Sequence, residues 1–266
     1  MVDDAAQFTG SIPQHYDAGL GPVIFTHYAE VVAGLVADRS PQRILETAAG
    51  TGISSQAIAS KNPAAELIVT DLNAPMLEFA RAKLPEGTRV ETADAQALPF
   101  DDASFDTVVC QFGIMFLPDL AAGFREARRV LGPGGRYVFS VWDSHARNHF
   151  GAVVNGVITA HFPTDTPPFY RVPYAMSPVD PLRELAQDTG FSRVTVHVVP
   201  HDTPVPSWDD FADGLVLGNP VSDQIRSRGG DLDAVRRDAI AVLTSEFGAA
   251  PTTMPIQAIF YVAEAR

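Results

Sequence analysis

The stretch Arg43-Ile44-Leu45-Glu46-Thr47-Ala48-Ala49-Gly50-Thr51-Gly52 sets an apolar strand, an acidic residue and a turn of small residues directly ahead of a helical run at Ile53–Ser60. Glycine at positions 50 and 52 supplies the φ values that a tight strand-to-helix turn requires, and small side chains let the backbone pass close to a ligand. This order of elements predicts a nucleotide-type cofactor site. Its charge narrows the ligand. A bare helix N-terminus suits a pyrophosphate, whereas the Glu46 carboxylate at the strand end favours a cationic or hydroxyl-rich molecule.

Outward from that turn, apolar residues Ile24, Phe25, Tyr28, Val32, Leu35 and Val36 recur at helical spacing and predict a helix over Pro22–Ala37, preceded by a polar arm. Strands are predicted at Glu66–Asp71, Arg89–Ala93, Asp106–Gln111 and Arg136–Val141, with helices at Pro75–Lys83 and Asp119–Leu131. Such alternation implies an α/β fold with right-handed crossovers and a parallel sheet covered by helices on both faces. The alternation stops after Trp142. The Pro-interrupted aromatic stretch within Asp143–Ser177 reads as too irregular for a sheet element and is expected to form a lid or substrate wall. Asp180 reads as the N-cap of a helix Pro181–Thr189, followed by a strand at Val194–Val199. Ser207 with Asp210 resembles a capping box that opens a helical insertion reaching Gly248, and a last strand falls at Ile256–Val262. The resulting division is an arm and covering helix at 1–40, a cofactor core at 41–142, a lid at 143–180, and a completion of the sheet at 181–266 carrying the insertion 207–248.

Composition bounds the partners. With 266 residues, 46% of them hydrophobic, the chain can bury one large core. A net charge of −13 with only 19 Lys and Arg argues against a nucleic-acid backbone as partner and for a small molecule. The single cysteine, Cys110, excludes an internal disulfide and a Cys-based metal cluster, and no His, Asp or Glu spacing reproduces a metal site, so no metal is expected. Met1-Val2-Asp3-Asp4 lacks the basic and then apolar pattern of a leader, and no stretch reads as a membrane-spanning helix. The expectation is a cytoplasmic protein with no membrane partner, a homodimer being left open.

Four residues able to accept hydrogen bonds stand at or just past the carboxyl ends of successive strands: Glu46, Asp71, Asp94 and Gln111. Those ends are where open parallel sheets bind ligands. Asp71 follows Glu46 by 25 positions, near the spacing at which an acid meets ribose hydroxyls in nucleotide-binding folds. Asp94 can accept from an adenine amino group while the Ala95 amide donates to a ring nitrogen, and Leu72 and Met76 would flank the ring.

Taken together, Glu46–Gly52, Val69–Leu77, Ala93–Phe100, Phe105-Asp106 and Arg129–Gly135 resemble the class I S-adenosylmethionine-dependent methyltransferases. Within that group the branch resembled is the one holding the ubiquinone/menaquinone-pathway C-methyltransferases and many small-molecule methyltransferases. The resemblance covers roughly Arg43–Trp142. It implies a Rossmann-like, doubly wound, seven-stranded sheet, mostly parallel with an antiparallel last strand, and S-adenosylmethionine as cofactor. The implied reaction is in-line methyl transfer to an oxygen, nitrogen or carbon of a small acceptor, and the aromatic, Pro-rich stretch Phe162–Tyr174 suggests a largely apolar or aromatic one. S-adenosylmethionine carries an ammonium group and ribose hydroxyls, in agreement with the charge at the strand ends. One departure is plain: where the family usually has its first glycine after the acid, this chain has Ala48, whose methyl narrows the approach beside Gly50.

The arm Phe8–Asp17 resembles the segment that covers the cofactor in several of these enzymes, which makes Tyr16 the candidate at the methionine end with Phe25 and Tyr28 behind it. Gln111 and Phe112 end the strand bordering the reaction centre. His15, His145 and His149 lie in segments expected to cover the site and are candidate general bases. The alternatives are an S-adenosylmethionine-binding enzyme with other chemistry and a non-catalytic protein that binds the same cofactor. A nicotinamide enzyme is disfavoured because Ser55 stands where a small Gly or Ala usually packs and because Glu46 would face a pyrophosphate.

Overall fold

The computed structural model describes residues 7–266, so Met1–Asp4, read above for a leader, lie outside the described residues. A seven-stranded sheet carries the fold: β1 Arg43–Glu46, β2 Glu66–Asp71, β3 Arg89–Thr92, β4 Phe105–Gln111, β5 Leu131–Trp142, β6 Phe191–Val205 and β7 Thr252–Ala265. Their order is β3-β2-β1-β4-β5-β7-β6. The first five run parallel, while β7 is antiparallel to both β5 and β6 and lies between them. β1 is central, with Leu45 opposite Ile68 on one side and Val108 on the other. Its Ile44 and Leu45, like Val108, Val109 and Cys110 of β4, are fully buried, as consecutive residues must be in a strand covered on both faces. The chain order reverses between β1 and β4, and the crevice at their carboxyl ends is where such a sheet opens to a ligand.

The helices are α1 Ile12–Ala37, α2 Ile53–Lys61, α3 Ala74–Lys83, α4 Leu120–Val130, α5 His149–His161, α6 Val179–Asp188, α7 Trp208–Leu217, α8 Val221–Ser227 and α9 Leu232–Phe247. α1 begins ten residues earlier than the periodicity predicts and is π-helical over Tyr16–Phe25. The wider turn there accommodates Pro22, whose missing N–H would break an α-helical ladder. α1 is also, among the described residues, the one helix long and apolar enough to cross a membrane, which corrects the reading that no stretch reaches that length. More than half of that apolar stretch is buried in the protein. Tyr28, Val32, Ala33 and Val36 are its share of the core.

Beyond Trp142 the structure is more regular than the sequence suggests. The segment predicted to be irregular contains α5, with Phe150, Val154 and Ile158 fully or almost fully buried. Pro178, not Asp180, caps α6, which starts at Val179. Ser207 does cap α7, its side chain accepting the Asp210 N–H at 3.2 Å, and α7, α8 and α9 fill the predicted insertion. Asp106 anchors the start of β1 by accepting the Gln42 and Arg43 amides at 2.6 and 2.8 Å. The π-helical segment crosses α7 on glycines. A Cβ at Gly214 would come within 2.8 Å of the Leu20 backbone, and one at Gly218 within 2.6 Å of the Tyr16 nitrogen. This close crossing seats Tyr16 over the end of the sheet.

Candidate active site

At the carboxyl ends of β1, β2 and β4 lies a cavity of about 520 Å³, a size typical of small-molecule sites. The turn after β1 forms its floor. Ala48, Gly50 and Gly52 all have positive φ (51°, 58° and 79°). At Gly52 any Cβ would lie 2.8 Å from the Ala80 backbone of α3, so the glycine there serves both conformation and helix packing. Ala48 holds the left-handed conformation at the cost of about 1 kcal/mol, the price of the departure from glycine noted in the sequence. Phe112, at the end of β4, also has positive φ (53°). Its stack on Trp142, centroids 4.2 Å apart and planes at 7°, holds it there.

Asp71 ends β2 and is buried in the cavity wall. Its Oδ2 accepts the Gly50 N–H at 2.8 Å, and its Oδ1 accepts the Asn73 backbone N–H at 2.7 Å. Oδ1 also accepts the Asn73 Nδ2 at 3.2 Å, so it is Oδ2 that keeps a lone pair for a further donor. Burial raises the Asp71 pKa, opposed by the amides of Asn73 and Gly50. Past the end of β3, Asp94 is oriented by Gln96, whose backbone N–H donates at 2.8 Å and side-chain amide at 3.1 Å. Leu72 is 57% exposed, more than any other large apolar side chain among the described residues, and it lines the cavity with Met76. An apolar surface left open in this way suits the face of a flat ring.

Glu46 does not line the cavity. It is fully buried one layer behind the wall, where its Oε1 accepts the Ser54 hydroxyl, and Ser54 is the residue that reaches the cavity. Burial pushes the Glu46 pKa up to about 7, the Ser54 and Ser55 hydroxyls opposing it and the Asp71 charge adding to it. Its other oxygen has no hydrogen-bond partner, and neither have Gln111 Oε1 and Thr51 Oγ1, both on residues that line the cavity. Buried polar atoms are rarely left so. The set of unfilled acceptors, with two carboxylates near them, fits a ligand that brings N–H or O–H donors and positive charge.

A second, smaller cavity of about 50 Å³ adjoins the first and shares Phe8, Tyr16, Phe25, Phe112 and Phe116 with it. Tyr16 stacks on Phe25 with centroids 4.9 Å apart, and burial raises the Tyr16 pKa, the Asp71 and Asp17 charges adding to it. Its far wall comes from the segment read as a lid, through Phe169, Tyr170, Pro173 and Tyr174, together with Trp142 and Asn219.

Of the cofactor-side residues predicted from sequence, all but Glu46 and Tyr28 line the large cavity. Tyr28 is core: it is wholly buried against Phe112 and Trp142, and its hydroxyl donates to the Val199 carbonyl at 3.1 Å. The histidine candidates are not at the cavities. His149 faces outward to Glu246 at 3.2 Å, His15 lines neither cavity, and His145 sits behind Tyr174, ring centroids 4.3 Å apart, with its pKa lowered by burial. The sequence reading missed Phe8, Ile53, Asn73, Gln96 and Gly113, all on the cavity wall. Ile53 and Gln96 directly follow recognised motif residues and were legible by adjacency. Phe8 and Gly113 are brought in only by tertiary packing.

Residues 45–139 match the family model of the methyltransferase domain. In sequence this core is similar to methyltransferase domains, and its sheet order is of the doubly wound kind that the resemblance implies. The chain is 40% identical over 117 residues to demethylmenaquinone methyltransferase of Deinococcus radiodurans, covering 43% of this chain and 48% of that one. It is 38% identical over 106 residues to the ubiquinone/menaquinone biosynthesis C-methyltransferase of Paracoccus denitrificans, covering 38% of this chain and 42% of that one. The chain thus spans about half the length of the curated relatives it matches. Phosphoethanolamine N-methyltransferase 2 of Haemonchus contortus, solved with S-adenosyl-L-methionine, shares the fold with a TM-score of 0.60 at 18% identity, over 98% of this chain and 58% of that one.

Proposed function

We propose that the protein transfers a methyl group from S-adenosylmethionine to a small, flat, largely apolar or aromatic acceptor. The observation that carries this reading is the pairing of two cavities with one shared aromatic wall, one rimmed by buried acceptors without donors and the other lined mainly by aromatic and aliphatic side chains. In the large cavity Asp71 would take the ribose hydroxyls, Asp94 and the Ala95 amide the adenine edge, Leu72 and Met76 its faces. Gln111 and Thr51 would take the amino-acid end, with Tyr16 and Phe25 over it. Glu46 would act through its field and through Ser54. When bound, S-adenosylmethionine supplies an activated methyl on a sulfonium, so alignment and water exclusion are the protein's main contributions.

The acceptor would sit in the aromatic cavity, walled by the segment 143–180 and the insertion 207–248. The curated relatives are named for demethylmenaquinone and for the ubiquinone and menaquinone pathways. A fused aromatic quinol matches the apolar character of this wall, and the cavity of about 50 Å³ would have to widen to admit it. No histidine lines either cavity, so this chain places no imidazole beside the acceptor; its side chains there position and desolvate it. The reading is of a cytoplasmic enzyme acting on a small molecule, with neither nucleic acid nor membrane as partner. A panel of hydroquinones, phenols and aromatic amines, incubated with donor carrying a labelled methyl, tests it by product mass spectrometry. A labelled hydroquinone or other aromatic product is expected. Donor binding with no labelled product across the panel would contradict it.

A further inference from the structure

Asn73 stands at the N-cap of α3, where an asparagine side chain ordinarily accepts from the amides of the first turn. It makes no such bond. Its amide is engaged elsewhere. The Nδ2 donates to Asp71 Oδ1 at 3.2 Å, and the Oδ1 accepts the Phe8 backbone N–H at 3.2 Å, across 65 positions of sequence. A favourable local cap is thus given up for a bridge between two distant parts of the chain. Both ends of the bridge matter. Asp71 is the acid placed for the ribose. Phe8 belongs to the wall shared by both cavities, its ring edge-on to Tyr16 and to Phe116 with centroids 5.8 Å away in each case. An ion pair between Asp17 and Lys83 ties the same N-terminal region to the far end of α3.

We propose that Asn73 is a positioning residue that couples the two cavities: a ligand held by Asp71 fixes the Asn73 amide, and that amide fixes Phe8 as the wall of the acceptor cavity. An amide suits this task because it donates through nitrogen and accepts through oxygen at once. Filling the large cavity then steadies the Phe8 wall of the small one, so that donor binding stabilises the acceptor site. The coupling rests on reading the large cavity as the S-adenosylmethionine site.

Chymotryptic cleavage after Phe8 reports the coupling, since the buried Phe8 must leave the wall to be cut. The cleavage rate is measured with and without S-adenosylhomocysteine, and binding is followed in parallel by calorimetry. In the wild-type protein saturating ligand should slow cleavage by about fivefold or more, the factor that one hydrogen bond supplies. Asn73→Ala should still bind ligand, yet the slowing should shrink below about twofold. Asn73→Asp keeps an oxygen for the Phe8 N–H but has no N–H for Asp71. It should cleave slowly in the free state and lose the response to ligand, which a purely structural role for Asn73 would not produce. Equal ligand protection in wild type and both variants overturns the coupling, as does a wild type that binds without protection. If calorimetry detects no binding to the wild type, the functional reading falls and the coupling with it.

Discussion

Asp71→Ala is expected to weaken S-adenosylmethionine binding by roughly 100-fold or more, a loss of about 3 kcal/mol. Two effects combine. The variant removes the charged acceptor placed for the ribose hydroxyls, and hydrogen bonds to a charged group are worth about 1.5–3 kcal/mol each. It also strips the Gly50 N–H of its partner, and Gly50 is the middle of the turn on which the ligand would lie. Asp71→Asn keeps the shape and one accepting oxygen, so it should fall between the two. Calorimetric titration of the three proteins checks the order. Undiminished affinity in Asp71→Ala would remove Asp71 from the site.

The second large effect is a dependence on pH. The Glu46 pKa lies near 7 because the carboxyl is buried, with the Asp71 charge adding to the shift. A cationic ligand nearby favours the ionised form, so binding should release a proton. Affinity should fall by about tenfold per pH unit below about 7 and level off above it. Free-protein stability runs the other way. The folded pKa is raised above the ordinary 4.5, so the contribution of Glu46 is fully present below about 4.5 and is lost as pH rises through about 7. That loss is on the order of 3 kcal/mol. Glu46→Gln should flatten both profiles between about pH 5 and 8 and make the free protein more stable at neutral pH. Titrations and thermal melts across that range read the two signs separately. A Glu46→Gln protein with the same pH slope as wild type would show that another group carries the dependence.

The parallel half of the fold was legible because its strands are short apolar runs ending in acids, each followed by a helix. Glu66–Asp71 was placed to the residue for that reason. The wall of the large cavity was legible for a related one: Asp71, Leu72, Met76 and Asp94 sit at fixed offsets from strand ends, and strand ends point one way in a parallel sheet. The acceptor side was not. α5 was hidden because the prolines and aromatics that follow it coloured the reading of the whole segment, although Phe150, Val154 and Ile158 keep helical spacing. The insertion of β7 between β5 and β6 is a matter of topology, which the local pattern of Thr252–Ala265 does not encode. His149 looked available because its segment covers the site. Only the packing of α5 on α9 shows that its ring turns outward to Glu246. Glu46 was recognised as the acid of the turn, but its depth behind Ser54 depends on how α2 docks on the strand end.

One property underlies the site: buried carboxylates and unfilled acceptors at the rim of the sheet, arranged as a cationic nucleoside would require. The most direct measurement is calorimetric titration of the purified protein with S-adenosylmethionine and, separately, with nicotinamide adenine dinucleotide. Saturable binding of the first at a single site and none of the second is the predicted result. Tight uptake of the dinucleotide with no heat from S-adenosylmethionine would contradict it.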